Sequence, residues 1–176
     1  MSTSINLRAG LKADRKLEIH FVDVSGGASA PEWEILGRGV EDAAMEFNHD
    51  VETTTDILGL SDTEVSPAKP QLDLDPNTIR GGQKLNALLL DIERRNALGE
   101  LSAFKVLNVH CYLGGSEEGN GPFLAELHTG CTIVPQSLGG SSYVGLPLNV
   151  MLSNDKQLGT ATITDGVPVF TPDAGR

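Results

Sequence analysis

Four residues carry the side chains a metal would want: His110, Cys111, His128 and Cys131. Imidazole nitrogen and thiolate sulfur are the donors of a tetrahedral zinc site. Their spacing argues against one. His110 and Cys111 are neighbours on the strand-like run "FKVLNVHCYL" and so point to opposite faces; His128 and Cys131 differ in parity if "FLAELHTGCTIVP" is one strand. The paired Cys-x2-Cys spacing is absent. The two cysteines are therefore expected as small, reduced core residues, a disulfide between them being the alternative. No metal, cofactor or catalytic set is assigned.

Other polar groups lead no further toward turnover. Glu117 and Glu118 are expected in a long Gly-rich turn, and Asp73 and Asp75 on an exposed strand edge, where nothing suggests the burial that makes a carboxylate a general acid. "GGSSYVG" lacks the Lys-Ser/Thr ending of a phosphate loop and the G-x-S-x-G of a nucleophile turn, so it is expected to be a plain turn. His20 and His49 are expected as surface strand residues, and Trp33 as a core or interface anchor.

The elements that would position these groups are mostly strands. "LEIHFVDV" puts Leu17, Ile19 and Phe21 on one face and Glu18 and His20 on the other; "FKVLNVHCYL" aligns Leu107, Val109, Cys111 and Leu113. Asp165-Gly166 marks a hairpin turn between "TATITD" and "VPVF". One helix is expected over about 83–98, with Leu85, Leu88, Leu89 and Ile92 on its buried stripe, Arg94 and Arg95 near its C-terminus and Gly99 as the stop. A single domain spanning 1–176 fits this length and the absence of any repeat or linker.

The stretch from Trp33 to Pro76 is the most informative. It reads as one long β-hairpin, an arm over about 40–75, with a tip holding Gly59, Ser61, Asp62, Ser66 and Pro67. Such an arm cannot bury itself in a small domain, and its free edges invite pairing with another chain. That favours assembly over catalysis. Along the arm Glu46, Asn48, Asp50, Glu52, Thr54 and Asp56 are expected to alternate, and with Gly59, Asp62 and Glu64 they are the candidates for contacts with another copy of the chain.

Charge narrows the class further. A net charge of -11 argues against a protein that grips nucleic acid by displacing counterions. Between Glu32 and Glu64 the only base is Arg38, which suits either a solvated face or a surface that lets a polyanion slide past. The opening "MSTSINLRAGLKADRKLEIHF" has no apolar stretch marking it for secretion, and 1–16 is expected as an arm that orders on assembly. An aromatic content of 5% gives little support to a sugar-binding sandwich.

The segments "PEWEILGRGVEDAAMEFNHDVETTTDILG", "KPQLDLDP" and "KLNALLLDIERRNALG", in this order, resemble the major tail tube proteins of long-tailed, siphovirus-like bacteriophages and related prophages. The resemblance runs from about Leu17 to Phe170 and rests on the spacing of Trp33, Gly37, Gly39, Glu41, Asp56, Gly59, Asp75, Pro76 and Gly139-Gly140. "NTIRGG" departs from it, standing where that family often has a longer basic or aromatic stretch. The resemblance implies a mainly β, sandwich or barrel-like tail tube fold with one flanking helix. It further implies hexameric rings stacked into a tube in the virion, assembled in the host cytoplasm. Partners would be copies of itself, tape measure, tail terminator and distal tail proteins, with DNA passing through the lumen unbound and no membrane involved. A tail terminator, a distal tail ring and the inner tube of a contractile particle are the alternatives.

Overall fold

Alternating and β-branched runs become strands and the leucine stripe becomes a helix, in the chain order β1 (Glu18–Asp23), β2 (Trp33–Ile35), β3 (Met45–Glu46), β4 (Val51–Thr55), β5 (Ser61–Val65), β6 (Gln71–Leu74), α1 (Lys84–Arg95), β7 (Phe104–Gly114), β8 (Phe123–Pro135), β9 (Leu148–Met151), β10 (Lys156–Thr164) and β11 (Val167–Pro172). This is a computed structural model and describes residues 3–28, 30–114 and 121–173. The Gly-rich turn with Glu117 and Glu118 lies outside the described residues, as do 1–2 and the last three of the tail.

The fold is mainly β: one antiparallel sheet curled into a half-barrel. Strands run β2-β1-β7-β8-β9-β6-β3, and β8 also pairs along its first half with β10, which carries β11. The corner sits in β8. Phe104 pairs with Cys131 but Lys105 with Thr129, so Gly130, in the left-handed region at φ 69°, is an extra residue. Parity flips there. Cys131 and Ile133 thus join the face that carries His128, contrary to the single-strand expectation.

That face closes over one core. Val22 and Val106 from one limb of the sheet meet Leu72, Leu74, Leu148 and Val150 from the other, and Leu85, Leu89 and Ile92 of α1 seal the side. The opposite face holds a second core of Phe21, Leu107, Val109, Cys111, Phe123 and Ala161. Cys111 and Cys131 are free thiols in these two separate cores, and burial pushes the Cys111 thiol up to about 11. As expected, Asp165 and Gly166, both at positive φ, turn β10 into β11.

The helix is shorter than its periodicity suggests. Asn96, not Gly99, takes the left-handed position that ends it, its N–H bonding back to Glu93, and Gly99 falls in a following 3-10 turn. At the other end Glu34, fifty residues upstream on β2, accepts from the backbone N–H groups of Lys84 (2.7 Å) and Leu85 (3.2 Å). A carboxylate there satisfies two orphan donors and suits the helix dipole.

Candidate functional site

The expected arm divides in two. Its ends belong to the body, because β3 and β6 join the main sheet and Leu72 and Leu74 are core residues. Beyond them β4 and β5 form a two-stranded ribbon bonded only to itself, every residue of which is exposed. The tip is tighter than expected. Ser61 and Asp62 already lie in β5, and the turn is Asp56–Leu60. Asp56 Oδ1 accepts from the N–H of Leu58 (2.8 Å) and Leu60 (2.9 Å), and Gly59 supplies a φ of 80°.

The nine candidate residues are thereby sorted. Asp56 and Gly59 build the turn. Asn48 sits at φ 49°, donating to the Lys69 carbonyl, and breaks the alternation between Glu46 and Glu52; Asp50 is paired with Lys69 Nζ at 2.6 Å. Glu46 remains on β3 opposite Gln71. Glu52 stands opposite Glu64, and Thr54 opposite Asp62, so these four share one acidic face. The other face pairs Val51 with Val65, Thr53 with Thr63 and Thr55 with Ser61, the hydroxyls bonded at 3.1 and 3.0 Å.

Sequence reasoning missed the tip's apolar residues. Ile57 is 101% exposed, Leu58 79% and Leu60 67%. Three large aliphatic side chains clustered at the end of a projecting ribbon are a surface that water disfavours. The signal was available: "DILGL" is apolar where a turn is normally polar.

A second group of titratable side chains, Glu18, His20, His110, Glu126 and Lys156, lines a recess beside the segment 42–47. His20, expected on the surface, is buried; its Nδ1 stands 2.9 Å from Asn108 Oδ1, and burial holds its pKa below the usual value. His110 Nδ1 lies 2.8 Å from Glu18. Burial opposes charging there, yet the bond to Glu18 leaves the His110 pKa raised. Glu126, beside His128 Nε2 at 3.4 Å and Lys156 Nζ at 3.0 Å, is lowered to about 2, the histidine being the largest cause. His128 Nδ1 donates to the Ser153 carbonyl at 2.7 Å. These groups are tied to one another across strands, which is the arrangement of a structural belt.

The belt sets an acid limb to stability. Glu126 favours the folded state above its unfolded pKa of about 4.3, and that contribution is lost as pH falls toward about 2. His20 and His110 shift oppositely, so their contributions near pH 6–7 oppose each other. Urea unfolding followed from pH 6 to pH 2.5 should show a steep loss that Glu126→Gln flattens. An unchanged acid limb in that variant refutes the assignment.

No family model matches the chain, and no curated protein matches it. Solved structures do. The anti-feeding prophage cap, a tube-terminating cap solved by cryo-electron microscopy, superposes with a TM-score of 0.50 at 11% identity, covering 88% of this chain and 95% of that one. The sheath/tube terminator of an extracellular contractile injection system, in its extended state, gives 0.51 at 9% identity over 86% and 99%. At such identities the likeness is one of fold.

Proposed function

We propose that this chain is a structural subunit of a phage-tail-like tube. Copies close into hexameric rings by joining free sheet edges, and the arm bridges one ring to the next. The observation that carries this reading is the ribbon of β4 and β5, exposed on both faces and ending in an uncovered apolar tip. A two-stranded ribbon alone is marginal in water, so a partner surface stabilises it. The fold shared with a tube-terminating cap and a sheath/tube terminator supports the body as a ring-former.

In this reading residues 1–176 make one tail-tube domain, with 1–16 and the arm as its assembly extensions. Residues 4–6 already run beside the end of β7, Asn6 N–H donating to the Tyr112 carbonyl and Gly114 N–H to that of Ser4. The role is not catalytic. DNA passes through an acidic lumen during ejection, and tape measure, terminator and distal tail proteins meet the tube ends in the virion.

A second reading follows from the same comparisons: a ring that ends a tube. Electron microscopy of the purified protein at high concentration separates the two. Long bare tubes with a regular axial repeat support the first, and rings that never stack support the second. A strict monomer at every concentration overturns both.

A further inference from the structure

We propose that the arm of one copy docks in a groove of another copy beside the start of α1, its acidic face meeting Arg38 and Arg80 and its apolar tip meeting Trp33 and Ile35. This rests on the reading of the arm as a contact between copies and names its receptor.

The groove has a volume of about 490 Å³ and lies between β2 and the loop 80–84. Two cations line it with no carboxylate partner among the described residues. The Arg80 guanidinium lies over Gly39, the residue after Arg38, its Nη2 2.6 Å from where a Cβ would stand, and both arginines line the groove. The acids nearby are engaged. Glu34 caps the helix, and Glu32 pairs with Lys84. What remains is positive charge in a protein of net charge -11, beside the exposed Ile35 and the half-buried Trp33. β2 is also an end strand of the sheet, with no strand on its outer edge among the described residues.

The arm presents the complement. Glu52, Glu64 and Asp62 share one face with no cation beside them among the described residues, and Ile57, Leu58 and Leu60 end it. Other recesses fit less well. The one under α1 offers a single cation, Lys105, beside Asp23 and Glu100, and so no positive excess for an acidic ribbon. In the one below 42–47, Arg15 is spent on the Ala43 and Glu18 carbonyls and Lys156 on Glu126. Opposite charge set around apolar contacts fixes partner and register.

The test is a charge exchange on the full chain, read as the concentration at which half the protein assembles by sedimentation. Asp62→Lys with Glu64→Lys, and separately Arg38→Glu with Arg80→Glu, should each raise it roughly tenfold or more. The two pairs combined in one chain should restore assembly. In the otherwise natural chain, a photo-cross-linking residue at Leu58 should join two copies, with the adduct mapping to 33–38 or 80–84. Normal assembly of the arginine variant, no recovery in the combined variant, or an adduct elsewhere overturns the groove. If the arm variants also assemble normally, the reading of the arm itself falls.

Discussion

Replacing Ile57, Leu58 and Leu60 together by serine should leave the monomer folded and raise the concentration needed for assembly roughly a hundredfold. In the monomer these side chains touch mostly water, so truncating them costs folding little. Docked, each would contribute about 1.5–3 kcal/mol on full burial, of which ordering and desolvation consume a part. A net loss near 3 kcal/mol corresponds to that hundredfold. Light scattering against concentration, with circular dichroism and thermal melts as the folding control, reads both halves. Tubes or rings forming at the natural concentration from the triple variant would remove the tip from assembly. The variant should also be more soluble, because the exposed apolar patch is gone.

The second large effect lies in the core. Leu89 is fully buried on the face of α1 that packs against both limbs of the sheet. Leu89→Ala should destabilise the monomer by about 2–5 kcal/mol through lost contacts and an unfilled cavity. For a chain of this size that lowers Tm by roughly 10 °C. Ala87, one turn face away and exposed, is the control; Ala87→Ser should stay within about 0.5 kcal/mol. Chemical denaturation of both variants decides the matter. Equal midpoints would mean that the helix is not the clamp on this sheet. If the proposed rings are built from this body, Leu89→Ala should impair assembly together with Tm, whereas the tip variant separates the two.

Much of this architecture is legible in the residues themselves. Period-two alternation located β1 and β7, the leucine spacing located α1, and the Asp165-Gly166 turn placed the last hairpin. The unburiable length of the Trp33–Pro76 stretch pointed to a projecting arm, of which the exposed β4–β5 ribbon is the outer part. These signals are local: they depend on residues a few positions apart, which lie on one face of a strand or helix whatever surrounds them.

The tertiary structure decided the rest. Gly130 turns β8 through a bulge and reassigns Cys131 to the face of His128, which no parity count along the sequence could include. Asn96 ends α1 ahead of Gly99 because it takes the left-handed conformation itself, and Glu34 begins the helix from fifty residues away. His20 is buried by strands distant in sequence, and Arg38 and Arg80 line one groove although 42 positions separate them in the chain. Periodicity fixes which side of an element is apolar, but whether that side is covered, capped or left open depends on chain segments brought together by the fold. That is why the arm could be read from the residues, while the groove beside the start of α1 emerged only from the packed chain.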